Sequence, residues 1–124
     1  EPLLDYMDTH SWSAVVSILK LGGYIIVFSC LSAYICLLPI KNIYITGILC
    51  GITEITNGIY LISCFPVPLF YQTILILAVN AFGGFSTVMQ TAGITKRSSF
   101  GIKKYICGKL LLTVLTCLHC IVLL

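Results

Sequence analysis

A single carboxylate stands inside an apolar run. Glu54 lies within residues 43–65, IYITGILCGITEITNGIYLISCF, and no other acid follows Asp8. An ionised carboxylate at mid-membrane depth costs at least about 3 kcal/mol, so such a group is paired, protonated or in reach of water, and usually serves a function. Thr53 and Asn57 flank it four residues apart, on one face if the segment is helical. If the chain instead turns at Thr53-Glu54, Thr53 is positioned to cap the second limb and Glu54 sits at a positive helix end. The plainer reading is a carboxylate bonded to a neighbouring helix for packing alone.

A second polar group lies further on: Asn80, Gly83, Gly84, Phe85, Ser86, Thr87 and Gln90. At about 100° per residue, Asn80, Gly83, Ser86 and Gln90 share a stripe roughly 120° wide. It offers amides and hydroxyls to a ligand or to Glu54. Small and polar residues also serve helix packing in membranes, which is the competing account.

Other chemistry is scarce. Seven cysteines are scattered through apolar segments. Cys117-Leu-His-Cys120 matches a C-x-x-C pattern, but no second pair completes a metal site. His10 and His119 have no carboxylate partner nearby in sequence. No nucleophile elbow, phosphate loop or paired-carboxylate site is present. The expectation is no enzyme, no metal and no cofactor.

The elements that position Glu54 belong to a bilayer. The chain is 59% hydrophobic and 9% charged, with mean hydropathy +1.08, against about a quarter charged in soluble domains. That excludes a soluble enzyme, a nucleic-acid binder and a disordered segment. The fold class is all-α, a single polytopic membrane domain over residues 1–124. Residues 1–19, with Tyr6 and Trp12, read as an interfacial helix, and Lys20 marks the boundary. Residues 21–39 suffice for one span, ended by Pro39.

Residues 43–65 admit two geometries, a full crossing of roughly 35 Å or a re-entrant hairpin with a tip at Thr53-Glu54. Residues 67–95 carry no charge and would extend about 44 Å, so a break is expected at Gly83-Gly84. A basic loop, 96–104, precedes a last span over 105–124. Three acids (Glu1, Asp5, Asp8) open the chain, and five bases (Lys96, Arg97, Lys103, Lys104, Lys109) cluster late, which places loop 96–104 in the cytoplasm. The same rule mildly prefers the full crossing. Glu1-Pro2 and the lack of a signal peptide suggest a cut from a longer protein, so the missing partner surface comes from upstream sequence or from a second copy.

GITEITNGIYLIS from Gly51, followed by NAFGGFSTVMQTAGI over 80–94 and a basic loop, resembles the bacterial sporulation integral membrane proteins of the YlbJ type. Those lie within the wider nucleoside-recognition, or gate, family. The resemblance runs from about Gly22 to the C-terminus. It is specific at Glu54-Ile55-Thr56-Asn57-Gly58 and Phe82-Gly83-Gly84-Phe85-Ser86. It implies that the chain is the C-terminal half of its parent, whose N-terminal half is then a partner.

A more distant resemblance is to concentrative nucleoside transporters, whose second re-entrant hairpin carries a binding glutamate. Glu54 matches that glutamate by position, and Asn80 or Ser86 match the transporters' polar ligands loosely. The sequence departs from that pattern in Thr53 before Glu54, in Thr56-Asn57 after it, and in Gly83-Gly84 where an Asn-Ser-Ser run is expected. The resemblance favours the hairpin over the full crossing. With the hairpin so chosen, the residues read as about three transmembrane helices, a re-entrant hairpin and an N-terminal interfacial helix.

The expectation that follows is a module transporting a small polar solute, nucleoside-like or a small carboxylate metabolite, in sporulation. Thr53, Glu54, Asn57, Asn80, Ser86 and Gln90 would bind it, and Gly83-Gly84 would break the helix to admit it. The alternative is a non-transporting scaffold that assembles with partner proteins. Lipid, the solute, the parent's N-terminal half and a second copy are the partners to be considered. Nucleic acid is not among them.

Overall fold

A computed structural model describes residues 2–95, 99 and 101–123. Six helices follow one another: α1 (Pro2–Leu37), α2 (Ile43–Thr53), α3 (Ile55–Ser63), α4 (Leu69–Phe82), α5 (Gly84–Thr95) and α6 (Ile102–Leu123). The fold is all-helical. Three stretches, Leu3–Leu37, Leu69–Thr95 and Ile102–Leu123, are long and apolar enough to cross a membrane. Leu19, Ile26, Tyr34, Leu111 and Val122 are among the side chains that α1 and α6 leave exposed, an apolar surface that calls for lipid or protein cover.

Helix α1 is unbroken over 36 residues, about 54 Å. The expected division into 1–19 and 21–39 is therefore not a division of the backbone. The glycine pair at the seam does not break the helix, and a Cβ on Gly22 or Gly23 would meet no atom within 4 Å. The helix ends at Leu37, two residues before Pro39, which disfavours helical backbone in the residue before it.

Residues 43–65 do not form one continuous helix. The Asn42 side chain caps α2 by accepting from the amides of Tyr44 (3.0 Å) and Ile45 (3.4 Å). At Glu54 the backbone turns extended, with φ −147° and ψ 125°, and α3 starts at the next residue. The two limbs fold back on each other. A Cβ on Gly58 would fall on the Gly51 Cα, and one on Gly47 would strike the Phe65 ring. Gly51 and Gly58 let the backbones touch, and Gly47 makes room for the Phe65 ring.

The return limb packs on α4 through a small core of Ile62, Phe65 and Val79, bordered by Ile55, Ile59 and Leu75. Gln72 of α4 fastens it, because its side-chain amide donates to the carbonyls of Ile62 (3.0 Å) and Ser63 (2.7 Å) at the end of α3. Ile62 also accepts from the Phe65 amide at 3.1 Å, and Ser63 lies at the helix end, where carbonyls lack the next turn's donors.

Helices α4 and α5 are one span interrupted at the expected glycine pair. Gly83 (φ +83°) and Gly84 (φ +71°) are both left-handed, a conformation costly for any residue with a Cβ. Helix α6 begins at Ile102, so Lys103 and Lys104 occupy its first turn and Lys109 lies well inside it. Lys96 and Arg97 of the expected basic loop lie outside the described residues.

Candidate functional site

Glu54 is 3% exposed. It is the hinge residue of the α2–α3 pair, closing one helix and capping the next. One carboxylate oxygen accepts from the Asn57 amide at 2.9 Å and the other from the Thr56 hydroxyl at 3.2 Å. The positive end of α3 thus faces its charge. A carboxylate has about four acceptor positions, so two donors leave room for more. Thr53 does not cap the second limb, contrary to expectation. Its hydroxyl turns back to the Leu49 carbonyl at 2.8 Å, the usual recourse of a threonine inside a helix.

The second helix break is seated on the first. A Cβ on Gly84 would stand 3.1 Å from the Gly51 carbonyl oxygen and 3.3 Å from the Ile55 nitrogen. The start of α5 and the start of α3 therefore meet, with no side chain between Gly84 and the turn at Glu54. Two interruptions at one point make a place where backbone polar groups are not consumed by a helical ladder.

Lys109 reaches the same place from α6. Its ammonium donates to the Ala81 carbonyl at 3.3 Å, near the end of α4. The same nitrogen would lie 3.5 Å from a Cβ on Gly83, and 5.9 Å from the centre of the Tyr105 ring. The sequence places this lysine in the last span and counts it in the basic cluster; the structure adds its partner, a carbonyl at the end of α4.

The expected stripe is only partly assembled. Ser86 is buried, and its Oγ accepts from the Gln90 side-chain amide at 3.0 Å. Asn80 stands apart, exposed on α4. The stripe assumed one continuous helical phase, and two successive left-handed residues reset it. Gln90 also lines a groove of about 610 Å³ between α1 and α5, with Thr9, Ser13, Ser17 and Lys20 on the α1 side. At the groove's edge Tyr24 packs against Gly93, where a Cβ would lie 2.9 Å from the Tyr24 ring.

Glu54, Asn57, Gly83 and Gly84 are thus brought together, with Ser86 in the first turn of α5 and Gln90 in the second. Thr53 adjoins them but directs its hydroxyl elsewhere. Thr56 and Lys109 join the cluster, and no sequence pattern assigns either a role there.

Comparison with known proteins is sparse. The chain is 28% identical over 127 residues to the sporulation integral membrane protein YlbJ of Bacillus subtilis (strain 168). That alignment covers 89% of this chain and 31% of the relative, so the chain spans about a third of the curated relative's length. No family model and no solved structure matches. The chain is a multi-pass integral membrane protein. Its long apolar helices and this similarity agree on that.

Proposed function

We propose that the chain is the site-bearing part of a membrane transport protein for a small polar solute. The observation that carries this reading is the meeting of two helix interruptions, one bearing a buried carboxylate, in the middle of an apolar bundle. In this reading α2–α3 is a re-entrant hairpin. Its limbs of 11 and 9 residues are about 17 and 14 Å long, too short for either to cross a core of roughly 30 Å. They enter and return on the side where α4 begins. Loop 96–104 faces the cytoplasm.

Glu54 accepts hydrogen bonds from the solute, and Asn57, Ser86 and Gln90 complete its polar surroundings. Gln90 links the groove beside α1 to buried Ser86, which gives the solute a polar approach. The similarity to YlbJ, a sporulation protein, supports a place in sporulation. The wider kinship with nucleoside-recognition proteins, in which this chain is the C-terminal half, rests on the motifs at Glu54 and Gly83-Gly84. The parent's N-terminal half, or a second copy, covers the exposed faces of α1 and α6. No catalytic role enters this reading.

One observation favours a second reading, a non-transporting scaffold. Among the described residues, the partners of the Glu54 carboxylate, Thr56 and Asn57, belong to its own hairpin, as a purely structural cap would have. Uptake into proteoliposomes carrying the full-length parent, wild type beside Glu54→Gln, decides between them across nucleosides and small carboxylates. Transport predicts uptake that the folded variant loses. No uptake by the wild type, or equal uptake by both, supports the scaffold.

A further inference from the structure

Ser32 is fully buried on α1, and its side-chain oxygen has no hydrogen-bond partner among the described residues. Other hydroxyls inside the helices are not left idle. Thr46, Thr53, Thr87, Thr91 and Thr113 each donate to the carbonyl four residues back. Ser32 has the same recourse and does not take it. Its hydroxyl faces the Cys50 thiol of α2 without completing a bond to it. A thiol sulfur is a weak acceptor, whereas an ionised acceptor forms the stronger hydrogen bond.

Cys50 is itself fully buried and gathers the remaining polar atoms of the α1–α2 contact. Its sulfur lies 3.4 Å from the Cys36 sulfur and 3.6 Å from the Ser32 carbonyl oxygen. Packing alone would account for small side chains here. It gives no reason for a hydroxyl left without a bond in a dry contact. The fourteen-residue spacing of the two cysteines matches no metal-ligand motif, so the sequence carries no sign of the cluster.

Charge and distance decide what such a cluster could hold. Soft thiolates select ions such as Cu(I) and Zn²⁺. Two thiolates neutralise one divalent cation, while Cu(I) would leave a net anion in apolar surroundings. At a zinc–sulfur bond of about 2.3 Å, two sulfurs stand about 3.8 Å apart in a tetrahedron and about 4.6 Å apart in a line. The observed 3.4 Å is close to the first and far from the second.

We infer that Cys36 and Cys50 bind a divalent ion of the zinc class as a pair of thiolates, clasping α1 to the entering limb of the hairpin. The Ser32 carbonyl supplies a third ligand, and the Ser32 hydroxyl donates to the Cys50 sulfur once its proton has left. Both thiol protons pass to water as the ion binds, and nothing is oxidised. Among the described residues no other cysteine, histidine or carboxylate makes a group of three with this pair, which leaves the fourth position to water. Cys36 is exposed and stands one residue from the end of α1, so the ion enters from the loop that carries Lys41. The clasp is separate from Glu54 and stands whether or not the chain transports a solute.

The test titrates the purified, reduced protein in detergent with Zn²⁺, and with Cd²⁺ as a probe whose ultraviolet charge-transfer band reports thiolate ligands. A pH-indicator dye follows proton release in weak buffer. The variants are Cys36→Ser, Cys50→Ser and Ser32→Ala, with Cys107→Ser on α6 as the control. The expected result is one ion per chain, a thiolate band and about two protons released per ion. Affinity falls at least about a hundredfold in either Cys36→Ser or Cys50→Ser, about tenfold in Ser32→Ala, and not at all in Cys107→Ser. Zn²⁺ also raises the unfolding temperature of the wild type but not that of Cys36→Ser, whose exposed side chain can change without loss of packing.

A missing thiolate band, binding without proton release, or binding that survives Cys36→Ser or Cys50→Ser (an adventitious ion only) overturns the inference. So does Ser32→Ala binding as tightly as the wild type, since the idle hydroxyl is what marks the cluster as a site.

Discussion

Gly84 lies against the carbonyl of Gly51, so the second broken helix rests on the backbone of the first with nothing in between. A Cβ on Gly84 would come 3.1 Å from that oxygen, at φ +71°. Gly83 has a similar dihedral, φ +83°, but the space for its Cβ is ordinary, with the nearest atoms at 3.5 Å. Gly83→Ala should therefore cost only the left-handed backbone penalty, about 1–2 kcal/mol. Gly84→Ala should cost that and the displacement of α2. Thermal unfolding of the protein in detergent should rank wild type above Gly83→Ala, and Gly83→Ala above Gly84→Ala. Equal losses would mean that the two breaks do not bear on each other.

The hairpin gives a sharper contrast. Alanine at Gly58 would set its Cβ on the Gly51 Cα, and backbone cannot yield as a flexible side chain can. Gly58→Ala should splay the limbs and lower stability by more than about 3 kcal/mol, beyond the range of an ordinary point change. Gly22→Ala, in open space on α1, should instead stabilise by about 0.5–1 kcal/mol through helix propensity. Parallel unfolding curves separate these outcomes, and a tolerated Gly58→Ala would contradict the antiparallel contact.

How much of this was legible in the sequence depended on whether the signal was local. The breaks at Glu54 and at Gly83-Gly84 could be read because a charge in an apolar run and a glycine pair in a long one are local anomalies. Asn80 could not be placed, since its relation to Ser86 required knowing that two left-handed residues reset the helical phase. Thr53 looked like a cap, but Glu54 took that position and left the threonine hydroxyl to its own helix. Lys109 falls in the expected last span, but beside Lys103 and Lys104 it reads as one more member of a basic cluster with no partner named. Only the packing of α6 on α4 shows where its ammonium goes. Gln72, an ordinary polar residue at the start of a span, carried no signal for the two carbonyls it satisfies.

Gln72 offers a stability test away from the site. Its amide is the shared donor for Ile62 and Ser63, at 3.0 and 2.7 Å. Gln72→Leu keeps the bulk and removes that donor, leaving Ile62 with the Phe65 amide and Ser63 exposed, so a loss of about 0.5–1.5 kcal/mol is expected. Limited proteolysis should show cleavage rising at residues 64–68 in the variant, where α3 hands over to α4. Unchanged cleavage and an unchanged melting curve would mean that the apolar core alone holds the return limb.

The placement of α1 against the hairpin has its own probe. Cys36 and Cys50 lie fourteen residues apart in sequence, yet their sulfurs are 3.4 Å apart across the α1–α2 contact. The Cys50 thiol also lies 3.6 Å from the Ser32 carbonyl. A copper–phenanthroline oxidant should join the pair: both thiols lose a proton, two electrons pass to the copper complex, and one S–S bond forms. Mass spectrometry of the peptides should find Cys36 and Cys50 linked with the loss of two hydrogens, and Cys36→Ser should abolish that species. A further cross-link helps to sort the alternatives, since Cys64 and Cys107 are exposed on other elements and should stay reduced under brief treatment. Linkage of Cys50 to either of those, with Cys36 left free, would place α1 elsewhere and remove the groove in which Gln90 faces Lys20.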